Sequence, residues 1–291
     1  MATRQGFRLN EKEHGDVEIL AFLYEYRRLT IDQLCLLTGR TRTRLSRRLK
    51  PLEAYGYVYR ERKHVSDKYV CTIRQKALPT LVKHGVVSEE ALDRQVRWHE
   101  RTDYFREHNI GVTDIHVALE LASRNSPIKL ISWQEGKEIE DTFTTIEDGQ
   151  KKRITLKPDA FFTLQDTRRQ EGRNRADFFL EYDRWSSSQS RFKEKISKYA
   201  AYFAQGLHTK KYGIKNAWVV TVGLDAERTK KRCIAASEVL PKDVQRFYYF
   251  APFQNFTFER PERVFEDIFI TPRDYSEGRR YYLIPPLAKD G

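Results

Sequence analysis

Residues for soft-metal or disulfide chemistry are scarce and badly spaced in this sequence. Its three cysteines, Cys35, Cys71 and Cys233, are far apart and fit neither CxxC spacing nor a disulfide framework. The seven histidines are scattered and none forms an HxxxH or HExxH pair, so a structural zinc site is not expected. No apolar run approaches the ~18 residues of a membrane span. The opening stretch MATRQGFRLNEKEHGD is charged and has no apolar centre, so no signal peptide is expected. There is no internal repeat and no low-complexity tract. These absences point to a protein of a reducing cytoplasm with no membrane partner.

What is present is ample core material and an excess of cations. A chain of 291 residues suffices for two ordinary domains, and 13% aromatics with 40% hydrophobics argue against disorder. The formal net charge of +12 points to a polyanionic partner such as nucleic acid.

Helical spacing begins at residue 16. DVEILAFLYEYR puts Val17, Leu20, Ala21 and Tyr24 on one stripe with Asp16 as the N-cap, and LTIDQLCLLTG is a short helix from Thr30 to Gly39. Next, RTRTRLSRRLKPLEAYGYV repeats Leu45, Leu49, Leu52 and Tyr55 at helical spacing and closes at Gly56. YVYRER and KYVCTIR, joined by KHVSD, form a β-hairpin, and QKALPTLVKHG a further helix. The cadence R-x-L-x-x-L-x-x-x-G-Y-V-x-R from Arg47 to Arg60 resembles the winged helix-turn-helix family. Between Arg40 and Lys50 lie six basic residues (Arg40, Arg42, Arg44, Arg47, Arg48, Lys50) and no acidic one. With Leu45 and Leu49 inward, such a helix suits the major groove of double-stranded DNA, and Arg60, Arg62, Lys63 and Lys68 add charge on the wing.

Residues 88–109 are polar and helix-compatible, and the expected division is a DNA-binding domain over 1–90, a linker over 91–109, an α/β domain over 110–260 and a tail over 261–291. HNIGVTDIHVALELASRN is a helix and IKLISWQEG a strand. GQKKR reads as an exposed basic turn leading into ITLKPDAFFTL, a second strand, and ADFFLEYDR is the third. SSSQSRFKEKISKYAAYFAQ is an amphipathic helix with a serine cap, NAWVVTVG a central strand, AERTKKRCIAASEVL a helix and QRFYYFAPF a strand. The order α–β–β–β–α–β–α–β predicts an α/β (α+β) domain, a mixed sheet flanked by helices.

In FFLEYD, alternation points Glu181 and Asp183 to one face, where two carboxylates repel each other and resist desolvation. Pairing of the second and third strands brings Asp159 to the same end of the sheet. The counter-charge suited to such a set is a hard divalent cation, Mg²⁺ or Mn²⁺. Pro158–Asp159 followed by a strand with Glu181, between helices, resembles the PD-(D/E)xK nuclease fold. That resemblance implies metal ligation by Asp159 and Glu181, with a lysine two residues after the second acid. Here Asp183 stands in that place, as a further ligand or orienter of water. Lys195 on the next helix is the replacement candidate, and Glu120 on the preceding helix the candidate for an outer metal contact.

Together, the winged helix, HNIGVTDIHVAL, ISWQEG, LKPDAFFTL, FLEYDR and KISKYAAYF resemble the replication-relaxation family of plasmids and other mobile elements. The resemblance implies DNA binding in replication or mobilisation on a nuclease-like fold, alongside replication or mobilisation proteins. The expected activity is metal-dependent phosphodiester hydrolysis as an endonuclease or nicking factor. The alternative is a non-catalytic accessory or regulator, favoured by Asp183 in the lysine position. A homodimer is in keeping with a winged helix, although no heptad seam is visible.

Overall fold

The structure, a computed structural model, describes residues 7–12, 14–62, 67–93, 106–147, 149–184 and 187–287. Lys63 and most of the expected linker lie outside the described residues. The chain divides into two compact units, Met1–Val117 and Ala118–Gly291, the division falling inside helix α5 (Arg106–Arg124). The fold is mixed α+β, with eight α-helices and ten strands among the described residues. No helix among them is long and apolar enough to cross a membrane.

In the first unit, α1 (Asp16–Glu25) leads through the two-residue strand β1 (Leu29–Thr30) into α2 (Ile31–Thr38) and α3 (Arg42–Ala54). Strands β2 (Val58–Glu61) and β3 (Val70–Ile73) follow, then α4 (Leu78–Lys83). The three strands form an antiparallel sheet in the order β1-β3-β2. Thr30 and Gln33 cap α2 reciprocally, Gly39 ends it with φ +66°, and Thr41 caps α3. Leu20, Leu23, Leu34, Leu45, Leu49 and Leu52 are fully buried, each contributing roughly 1.5–3 kcal/mol of apolar burial. The α1 stripe is rotated from the expected one. Gly15 is the N-cap, and the buried residues are Asp16, Ile19, Leu20 and Leu23 rather than Val17, Ala21 and Tyr24. Asp16 is buried because Arg48 neutralises it.

The second unit is a five-stranded mixed sheet in the order β10-β9-β8-β7-β4. Strand β4 (Ile128–Gln134) pairs antiparallel with β7 (Ala160–Asp166), and β7 pairs antiparallel with β8 (Arg175–Asp183). Strands β8, β9 (Trp218–Gly223) and β10 (Tyr248–Pro252) run parallel. Their crossovers carry α6 (Gln189–Ala204) with the short α7 (Leu207–Tyr212), then α8 (Ala226–Ser237). Ser188 caps α6, which buries Phe192, Ile196, Tyr199 and Tyr202 against Phe161, Phe179, Val219 and Phe250 of the sheet. The tail covers the β10 edge, where Phe250 pairs with Ile270, while Phe269 pairs with Tyr281.

Two expectations are corrected. ITLKPDAFFTL is not one strand: β6 (Gln150–Leu156) ends before Lys157 and β7 begins at Ala160, so Asp159 sits in the link. Of GQKKR only Gly149 lies in a turn; Gln150 to Arg153 start β6, paired with β5 (Asp141–Glu147) in a hairpin between β4 and β7. Phe143 and Ile154, cross-strand partners, supply the apolar contact with α6 that makes the hairpin pack.

At the far end of β7, Asp166 is fully buried and receives Arg168 Nε at 2.8 Å and Arg169 Nε at 3.1 Å. The Arg168 hydrogen bond leads in holding its carboxyl down at about 2. A depressed carboxyl contributes stability that is fully present above its unfolded value, about 3.9, and lost as pH falls toward 2. The melting temperature of Asp166→Asn should therefore fall less between those pH values than that of the parent. Parallel curves would show that the pair contributes nothing.

Candidate functional site

Two clusters are candidates for function, one in each unit. On α3, Leu45 and Leu49 are fully buried, which turns Arg44, Arg47 and Lys50 to the exposed side. None of these three cations has an ion-pair partner among the described residues. Other basic residues of the region are engaged within the unit. Arg40 donates to Glu18 at 2.6 Å and to the Gly15 carbonyl at 2.8 Å. Arg42 is paired with Asp32, and Lys68 reaches the same carboxylate at 3.5 Å. Arg48 Nε donates to Asp16 Oδ1 at 2.9 Å, and Arg60 Nε to Glu53 Oε2 at 2.8 Å. Arg62 lies over the Tyr69 ring, 4.8 Å from its centroid. The face open to a polyanion is therefore narrower than a count of arginines suggests, and it centres on Arg44, Arg47 and Lys50.

In the second unit the β7/β8 register sets the site. Ala160 pairs with Leu180, and the Asp159 amide donates to the Leu180 carbonyl at 3.0 Å. Asp159 Oδ2 in turn accepts from the Tyr182 amide at 2.7 Å, which fixes its carboxylate beside the end of β8. Glu181 points from β8 toward α6, where Tyr199 Oη donates to its Oε1 at 2.6 Å and Lys195 pairs with its Oε2. Lys195 and Tyr199 are four residues apart, so one helical face delivers both groups. Burial pushes the Glu181 carboxyl up to about 7; the Lys195 ammonium opposes that rise and the Asp159 charge adds to it. Burial also works against the Lys195 ammonium, but Glu181, Asp159 and Asp183 outweigh it and its pKa is raised. Glu181 is only 5% exposed, whereas the Lys195 side chain is 35% exposed and Asp159 is half-buried. Solvent thus reaches the cluster from the Asp159 and Lys195 side.

Asp183 bears on this cluster through its charge on Lys195 but is paired elsewhere, and Glu120 pairs within its own helix. Asp183 is paired with Arg232 of α8, whose side chain is 1% exposed. Arg232 also donates to the Ser187 carbonyl at 2.8 Å and lies 4.6 Å from the Phe192 ring centroid. Glu120 is 3.6 Å from Arg124 Nε, one turn along α5. Sequence reasoning missed both Arg232 and the Tyr199 hydroxyl. The signal for Arg232 was present: it lies on the same helical face as Thr229 and Ala236, both buried.

The donor set suits a hard cation in part. Burial and the Asp159 charge together raise the Glu181 carboxyl to about 7 against the Lys195 ammonium, and Mg²⁺ or Mn²⁺ needs only one or two protein carboxylates. Asp159 and Glu181 fit that requirement. Asp183 does not, because Arg232 already neutralises it. Among the described residues no group of three or more His, Cys, Asp or Glu side chains is placed to hold a metal.

No curated protein and no solved structure matches the chain. The sequence profile of the replication-relaxation family does, over residues 20–217, which takes in the α3 face together with Asp159, Glu181 and Lys195. The chain belongs to the replication-relaxation family, which associates it with the replication or relaxation of plasmid and other mobile DNA.

Proposed function

We propose that this protein binds double-stranded DNA through α3, acting as a winged helix, and nicks DNA at the Asp159–Glu181–Lys195 cluster. The observation that carries the catalytic half is the meeting of two carboxylates and one lysine at a solvent-reached end of the sheet. Mg²⁺ or Mn²⁺ held by Asp159 and Glu181 would supply Lewis acidity toward a phosphoryl oxygen and acidify water. Lys195 places its ammonium where negative charge grows on the phosphate in the transition state. Tyr199 holds Glu181 in one orientation, and the backbone amide of Tyr182 does the same for Asp159. Arg232 keeps Asp183 out of the reaction.

A second reading rests on a different observation: Glu181 is 5% exposed and already has two partners, as in a structural core. On that reading the second unit is a non-catalytic platform of an accessory or regulatory protein. Incubation of supercoiled plasmid with Mg²⁺ or Mn²⁺ separates the two. Open-circular product supports nicking; intact plasmid with DNA binding preserved sinks it and leaves the accessory role.

The α3 assignment makes its own prediction. Arg44→Ala and Arg47→Ala should each weaken binding of every duplex and lower the salt slope by about one. Arg48→Ala should instead lower stability, since it strands the buried Asp16 carboxylate. If Arg44→Ala and Arg47→Ala leave affinity unchanged in a filter-binding titration, α3 does not face the DNA.

A further inference from the structure

The β5–β6 hairpin has two different faces. Phe143 and Ile154 turn inward to the core, and Asp141 accepts from Tyr202 Oη at 3.0 Å on the same side. The opposite face carries three cross-strand pairs: Thr142 with Thr155, Thr144 with Arg153, and Ile146 with Lys151. Lys151 and Arg153 are exposed and have no ion-pair partner among the described residues. Ile146 is 71% exposed, the most exposed large apolar side chain described. Water gives no reason to keep an isoleucine between cations on an open ribbon. The backbone of a duplex gives one, because lysine, arginine and threonine hydroxyls all bind phosphate oxygens and an apolar tip can press into a groove.

Strand β6 also runs directly through Lys157 and Pro158 into Asp159. The outward face is therefore joined to the proposed reaction centre by a short stretch of its own chain. Lys157 is paired with Glu140 at 3.2 Å and so braces that link.

We propose that the outward face of the β5–β6 hairpin is a second duplex-DNA-binding surface, with Lys151, Arg153 and Thr144 on phosphates and Ile146 against a groove. This rests on the reading of the protein as DNA-acting, and it adds a site in the second unit beyond α3.

The test uses the full chain and a labelled duplex, with affinity measured by fluorescence anisotropy across a series of salt concentrations. Lys151→Ala/Arg153→Ala should weaken binding about tenfold at low salt and lower the salt slope by about two, one for each released phosphate contact. Ile146→Ala should weaken binding without changing the slope, and Lys151→Arg/Arg153→Lys should keep both near the parent. All these side chains are exposed, so an unchanged melting temperature confirms folding. An unchanged slope and affinity in the double alanine variant would overturn the proposal. Binding is read separately from cutting: a lowered slope in a protein that does not nick supports the hairpin while removing the catalytic reading. Nicking with an unchanged slope removes only the hairpin.

Discussion

Asp183→Ala should cost about 3–5 kcal/mol of stability, the cost of stranding one member of a buried ion pair. The Arg232 side chain is 1% exposed and that of Asp183 9%, so water cannot replace the lost carboxylate. The Ser187 carbonyl and hydroxyl and the Phe192 ring also touch the guanidinium, and none of these carries a charge. Replacing both partners by apolar side chains of similar volume, Asp183→Leu with Arg232→Met, should destabilise less than either single change. Denaturant titration of the four proteins measures the coupling. The same variants decide what Asp183 does. If the protein nicks DNA and Asp183 serves only as the partner of Arg232, folded Asp183→Ala should still nick. If Asp183→Ala is as stable as the parent but has lost nicking, Asp183 belongs to the reacting set and the pair with Arg232 is incidental.

That pair also marks where sequence reasoning stops. Strand β9 was legible in WVVTVG because a strand buried on both faces is an unbroken apolar run. Helix α6 was legible from its serine cap and its stripe, and the reach of Lys195 to Glu181 follows from where that stripe must face. Strand β5 was not legible. DTFTTIE is mostly threonine and acid with one inward Phe143, and its partner carries three cations straight after Gln150, so periodicity had one apolar pair to work with. Two buried charges were hidden for a single reason. Asp16 and Asp183 are inside only because Arg48 and Arg232, distant in sequence, fold onto them. A residue's own neighbours cannot announce that. The same blindness hides the ion pairs of Arg40, Arg42, Arg48 and Arg60, since their acids lie on other elements or at other turns of the chain.

If the second unit nicks DNA, the largest effect in the molecule is the loss of cutting in Asp159→Ala and Glu181→Gln. Asp159 and Glu181 serve one group, so removing either should abolish its binding, and Asp159→Ala/Glu181→Gln should be no worse than each single variant. Lys195→Met acts on the transition state alone and should slow nicking by about 10²–10³-fold, the scale of one lost charge-stabilising donor. Glu181→Gln keeps the shape that accepts from Tyr199, but it leaves Lys195 facing a neutral amide. Folding must therefore be checked by melting temperature before any loss of activity is assigned to chemistry. Duplex affinity provides the second control, because Arg44, Arg47 and Lys50 lie in the other unit and should still bind. Three folded, DNA-binding variants that nick like the parent would place any cutting elsewhere in the protein. Three that fail together, with Asp183→Ala still active once folded, would assign the reaction to Asp159, Glu181 and Lys195 and to no third carboxylate.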